Sequence, residues 1–158
     1  GAMMKRNGVA DYMIEIGGEI AVAGKSPRGS LWRIRIDAPV ESADSVIHDN
    51  MGVIEVSDCG IATSGNYRNY RVIDGKSMGH TINPFTGKPA LSGILSATVI
   101  APECMTADAL ATACMIMPLD SAVAMIESQA GVSAMFVTAG DTARWAVTRT
   151  AGFPAVGR

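Results

Sequence analysis

Charge is scarce and balanced: 13 basic and 15 acidic residues leave a formal net charge of −2 over 158 residues. So small an excess gives no broad positive field for a nucleic acid, and any polyanionic ligand must be gripped locally. Aromatic residues make up only 5%, so the core is expected to consist of aliphatic side chains and the flexible chains of ten methionines. The three cysteines, Cys59, Cys104 and Cys114, form no CxxC pair and are odd in number, which excludes a complete disulfide framework. The longest helix-like apolar run, Ala109 to Leu119, is broken by Thr112 and stopped by Pro118 and Asp120, well short of the ~20 residues a membrane helix needs. What is abundant is small and apolar, with 48% hydrophobic residues and 17 glycines. A chain of this length can bury a core of its own as one domain. The opening Gly1-Ala2-Met3 reads as an expression scar, leaving 4–158 as the domain.

Along the chain, DYMIEIGGEI (Asp11 to Ile20) alternates apolar and polar positions and ends on a glycine pair followed by an acid, as a strand entering a tight turn does. LWRIRI (Leu31 to Ile36) has the alternation of a half-buried antiparallel strand, and GKSPRGS between the two is expected to be a hairpin loop. Val53 to Ser57 and Asn69 to Asp74 are further strand candidates, while Gly60 to Asn66 is rich in small hydroxyl and turn residues and Gly79 to Pro89 reads as a loop. Leu95 to Ala101 is β-branched and strand-like. Thr106 is placed to cap a helix over Ala107 to Met117, Pro118 to stop it, and Asp120 to Gln129 to form a second helix ended by Gly131. Val132 to Thr138 and Ala143 to Thr148 close the chain as two strands around Ala139-Gly140-Asp141. Strands and helices mix without βαβ alternation, which predicts an α+β fold: a mixed or antiparallel sheet with helices packed on it.

Four segments could carry chemistry. In TADALAT, Asp108 and Thr112 are four apart and share a helix face. A carboxylate and a hydroxyl suit a hard cation such as Mg²⁺, which completes its shell with water and substrate phosphate. The same spacing also suits an acid that complements the helix dipole and a threonine that bonds back into its own helix. In HTINPFTG, the Asn83-Pro84 and Thr86-Gly87 steps fix a loop while leaving an imidazole, a hydroxyl and backbone amides available, which serves a ligand edge or a plain structural turn. IGGE lets a backbone approach a ligand or a neighbouring strand closely. ATSGNY resembles a small anion or cofactor clamp. It is neither the GxxxxGK[ST] of a P-loop nor the GxSxG of a serine hydrolase. No partner is assigned to His48 or His80, the cysteines sit among apolar neighbours as structural thiols, and Arg33 and Arg35 read as a solvated strand face.

Taken in order, IGGE, the W-R-I strand, ATSGNY, HTINPFTG and TADALAT resemble the ApbE family, the magnesium-dependent FAD:protein FMN transferases once described as thiamine-biosynthesis lipoproteins. The resemblance implies an ApbE-like, T-fold-like architecture. It also implies an activity: cleavage of the FAD pyrophosphate and attachment of FMN to a Thr or Ser hydroxyl of an acceptor flavoprotein of an electron-transport complex, with release of AMP. On this pattern Asp108 and Thr112 match the metal ligands, and Ala111 falls on the third metal position, where some members place a further acid. Gly17, Gly18, Glu19, Ser64, Gly65, His80, Thr81 and Ile82 match the flavin-nucleotide contacts, and His80 and Asp108 are the catalytic candidates. Asn83 stands where an Asp is frequent, and Thr81 where an Ile is frequent. Family members are longer, so the chain is expected to correspond to their C-terminal portion, lacking the segment that in them supplies much of the FAD pocket and another metal contact. The resemblance further implies a place in the periplasm or on the outer face of the cytoplasmic membrane, where members act as lipoproteins. Two alternatives from other classes are a non-catalytic flavin-binding or trafficking module, and an assembly piece completed by a homodimer or by a separate N-terminal half.

Overall fold

The structure, a computed structural model, describes residues 1–39, 50–66, 70–73, 76–140 and 145–157. The chain opens with a short helix α1 (Ala2–Arg6), followed by β1 (Tyr12–Ile16), β2 (Glu19–Ala23), β3 (Trp32–Asp37), β4 (Asn50–Val56) and β5 (Cys59–Gly65). Four short strands come next: β6 (Tyr70–Ile73), β7 (Lys76–Gly79), β8 (Ile82–Asn83) and β9 (Lys88–Pro89). The chain continues through β10 (Ile94–Ala101), the helices α2 (Cys104–Cys114) and α3 (Leu119–Glu127), then β11 (Ser133–Ala139) and β12 (Trp145–Arg149).

Six strands form one antiparallel sheet in the order β1-β2-β5-β10-β11-β12. The helices α2 and α3 cover one face, where Ala62, Val99, Phe136 and Ala134 meet Ala107, Ala111, Cys114 and Ile126. The separate β3–β4 ribbon covers the other face, where Ile34, Ile36, Ile54 and Val56 meet Ile61, Ile100, Met135 and Val137. This three-layer arrangement is the expected α+β class. It also explains why LSATVIA reads as a nearly continuous apolar run: β10 is covered on both sides, so every position is buried or half-buried. Each fully enclosed side chain of the size of Phe136, Ile54 or Met115 contributes about 1.5–3 kcal/mol relative to exposure.

Small residues set the distance between helix and sheet. Ala62, Ala97 and Ala101 on the sheet face Ala107 and Ala111 on α2, and Gly60 marks the closest approach. A Cβ placed on Gly60 would sit 2.1 Å from the Cys104 backbone nitrogen and 2.3 Å from its Cα. The first turn of α2 therefore rests directly on the β5 backbone.

Several local expectations change in the structure. GKSPRGS does not close a hairpin; it carries the chain from the main sheet to the ribbon, because β2 pairs with β1 and β5 while β3 pairs with β4. The crossover is pinned by the Trp32 indole N–H, which donates to the Ala23 carbonyl at 2.9 Å. Gly60 to Gly65 is a sheet strand; its small residues reflect the helix lying on it, which outweighs their turn propensity. Thr106 is not the N-cap of α2, which begins at Cys104 after Glu103 and has no side-chain cap. Gly79 to Pro89 contains the two-residue ladder of β8 with β9. The helix α1, which includes two of the residues read as a scar, has no counterpart in the sequence reading. Tyr67, Asn69, Asp74, His48, Asp141 and Ala143 lie outside the described residues. Among the described residues no helix is long and apolar enough to cross a membrane.

Gly60→Ala is expected to lower unfolding stability by at least ~2 kcal/mol, because the overpacked neighbour is backbone that cannot rotate away. Urea titration read by circular dichroism checks this, and an unchanged midpoint would refute the close seating of α2.

Candidate functional site

The hairpin between β1 and β2 turns on Gly17 and Gly18, both at positive φ (+71° and +106°), with Ile16 paired to Glu19. A two-residue turn of this kind needs residues without a Cβ. Because β2 pairs with β5 through Ile20 and Ile61, the turn continues alongside Thr63 to Gly65. Gly17, Gly18, Thr63 and Gly65 line a cavity of about 170 Å³ with Arg35 and Asp37 of the ribbon.

The opposite side of the same strand end faces α2. There the Ser64 Oγ lies 3.2 Å from the Thr112 Oγ1, with Asp108 one helical turn earlier. Asp108 is exposed, and it makes no hydrogen bond or ion pair among the described residues. The simpler explanation of Asp108 as a dipole partner weakens here, since the first turn of α2 holds no acid and the dipole effect fades beyond that turn. Thr112 directs its hydroxyl to Ser64 across the interface. The Cys104 thiol is pushed up, chiefly by burial and then by the charges of Glu19 and, more weakly, Asp108. Both carboxylates therefore flank the beginning of α2.

The residues proposed from the sequence fall into three groups. Of the first group, Ser64 and Thr112 meet directly, Gly17, Gly18 and Gly65 line the cavity, and Glu19 and Asp108 lie towards the beginning of α2. Ala111 presents a fully buried methyl to the core, so its side chain brings no oxygen to a metal. His80 and Thr81 link β7 to β8, and Ile82 opens β8. His80 and Ile82 are exposed, while the Thr81 carbonyl accepts from the Ala90 N–H at 2.9 Å. The Asn83 Oδ1 accepts from the Phe85 N–H at 2.9 Å, and its carbonyl accepts from the Gly87 N–H at the same distance. This fixes the backbone of the loop.

Asp37 and Thr98 near the site were not singled out by sequence, and Thr63 entered only as part of ATSGNY. Thr63 and Thr98 share a hydrogen bond of 2.9 Å, and Thr98 and Asp37 line the cavity. Nothing in the sequence separates Thr98 from ordinary strand residues, since its pairing with Thr63 is a product of register. Arg35 is half solvated as expected, with its Nε donating to the Asp37 carboxylate at 3.1 Å.

Among the described residues no three of His, Cys, Asp and Glu converge. The donor set of Asp108, Thr112 and Ser64 is nonetheless all hard oxygen, which fits Mg²⁺ with its preference for few protein ligands and much water.

The antiparallel sheet, with helices on one face and a ribbon on the other, is an architecture shared with solved flavin transferases. Over 96% of the chain the fold matches the structure titled Flavin Transferase ApbE from Vibrio cholerae, with a TM-score of 0.77 and 33% identity, covering 46% of that chain. Pseudomonas stutzeri flavinyl transferase ApbE matches with a TM-score of 0.78 and 35% identity, covering 96% of this chain and 45% of that one. The family model described as ApbE family matches residues 1–136, and the chain belongs to that family. The FAD:protein FMN transferase of Vibrio cholerae is 42% identical over 125 residues, 79% of this chain and 36% of the relative. That of Escherichia coli K12 is 33% identical over 140 residues, 89% of this chain and 39% of the relative. The chain thus spans less than half the length of these relatives.

The cysteines support a pH prediction. Burial raises Cys114 from the ordinary 9.0 to about 11, and burial with the nearby Asp58 charge raises Cys59 to about 11. The folded state therefore holds these protons more tightly than the unfolded state, and their contribution to stability is complete below pH 9 and lost as the pH rises towards 11. Urea midpoints are expected to fall between pH 9 and 10.5, less steeply in Cys114→Ala. A flat profile in the parent protein would contradict the buried thiols.

Proposed function

We propose that the chain carries the metal-holding and part of the flavin-nucleotide-holding surface of an FAD:protein FMN transferase. The reaction is Mg²⁺-dependent transfer of FMN from FAD to a Thr or Ser hydroxyl of an acceptor flavoprotein, with release of AMP. The observation that carries this reading is the contact of Ser64 with Thr112, one helical turn from the exposed Asp108. Membership in a family whose relatives bear that transferase name supports it.

In chemical terms the acceptor hydroxyl oxygen forms a bond to the FMN phosphorus, the pyrophosphate P–O bond breaks, and AMP leaves with the bridging oxygen. A cation held by Asp108 and Thr112 would supply charge neutralisation at the pyrophosphate. Asp108 offers a carboxylate not committed to any described neighbour. Thr112 is oriented by Ser64, which fixes one of the two hydroxyls for ligation. The amides and open backbone at Gly17 and Gly18 admit a planar or phosphate-bearing group without steric penalty. His80 has the functional class needed to accept the hydroxyl proton, and the next residue, Thr81, is tied through its carbonyl to the Ala90 N–H.

Mass spectrometry of a Thr-containing acceptor flavoprotein incubated with the protein, FAD and Mg²⁺ tests this reading. The acceptor is expected to gain one FMN, with matching AMP release and loss of both on chelation. Asp108→Ala is expected to lower the rate at least ~100-fold, as removal of a metal-held charge should, with an unchanged circular dichroism spectrum. Flavin binding without AMP release would replace the transferase reading with that of a binding module.

A further inference from the structure

Asn66 is the first residue beyond β5, and its backbone N–H donates to the Leu95 carbonyl at 3.1 Å. That bond extends the β5–β10 ladder one step past the pair of Gly65 with Ser96. Alternation along the ladder puts Asn66 on the side of the sheet shared by Ala62 and Ser64, the side that α2 covers. Its side-chain Oδ1 is buried, and no hydrogen bond reaches it among the described residues. A buried acceptor left unpaired is destabilising, and one retained beside a candidate site calls for an explanation other than stability.

The neighbourhood narrows what the oxygen is for. Two residues earlier on the same side, Ser64 bonds to Thr112, so Asn66 continues the oxygen-bearing flank of β5 beyond the strand's end. A carboxamide oxygen only accepts hydrogen bonds. Its occupant must therefore present an N–H or O–H, which an ionised phosphate does not. Resting on the flavin-nucleotide reading above, we infer that Asn66 is a ligand contact of this site: its Oδ1 accepts a hydrogen bond from a ring N–H or a sugar-alcohol hydroxyl of the bound nucleotide. The flavin and adenylate halves of FAD both offer such donors, and the test separates them.

Asn66→Leu removes the acceptor while keeping the same branched heavy-atom outline, and Asn66→Ala removes it without any prospect of a clash. FAD binding by the intact chain is read by quenching of flavin fluorescence, FMN and AMP binding by calorimetry, and folding by thermal denaturation. Both variants are expected to bind FAD at least tenfold more weakly, with Asn66→Leu keeping or raising the melting temperature because an unpaired acceptor has gone. Loss of FMN affinity assigns the contact to the flavin half, and loss of AMP affinity assigns it to the adenylate half. If the parent chain binds FAD and both variants bind it equally well, the inference fails while the functional reading stands. A lowered melting temperature with unchanged affinity would make Asn66 structural and also overturn the inference. A parent chain that binds none of the three nucleotides would overturn both.

Discussion

The seating of α2 on β5 is the contact on which the candidate site depends. Gly60 allows the Cys104 backbone to lie where any side chain would collide, and the alanines of both elements keep the helix close along its length. Since Gly60 meets Cys104 and Ser64 meets Thr112, the helix runs alongside the strand in the same direction. Four strand residues and eight helical residues cover similar distances, about 13 Å and about 12 Å. That match brings the Thr112 hydroxyl to Ser64 and leaves Asp108, between the two contacts, at the solvent edge.

The β5 strand therefore serves both layers at once. Ile61 faces the ribbon and Ala62 faces the helix; Thr63 looks into the cavity and Ser64 towards Thr112. The alternation of a single strand divides the site into a cavity side and an oxygen-donor side, joined around the Gly17-Gly18 turn. The ribbon completes the cavity only because β3 leaves the main sheet after β2, a step held by the Trp32 indole on the Ala23 carbonyl. A rigid sheet covered on both faces holds these groups in place without a disulfide, which suits a chain whose three cysteines are all free.

Much of the fold was legible. The alternation of Trp32 to Ile36 gave the ribbon strand, the β-branched run before Pro102 gave β10, and the glycine pair after Ile16 gave the turn. ATSGN was misread because small hydroxyl residues favour turns when judged alone, whereas in the protein they are small so that a helix can pack on them. Thr106 has the chemistry of a cap, yet the helix begins three residues earlier than that cap implies, where Cys104 rests on Gly60. The hairpin expected at GKSPRGS failed for a related reason: strand pairing is decided by which apolar faces must be covered, and a short loop does not reveal that.

By itself the sequence determined the α+β class, the ordered motifs of the ApbE family and the identity of the oxygen-bearing residues, because these follow from periodicity and residue chemistry. The tertiary structure alone decided which of them meet. It joined Ser64 to Thr112 across 48 positions of sequence, turned Ala111 into the core, and left the Asn66 oxygen buried without a described partner. Each of these outcomes depends on strand register and on how closely a helix packs, and neither is encoded within any local stretch of the chain.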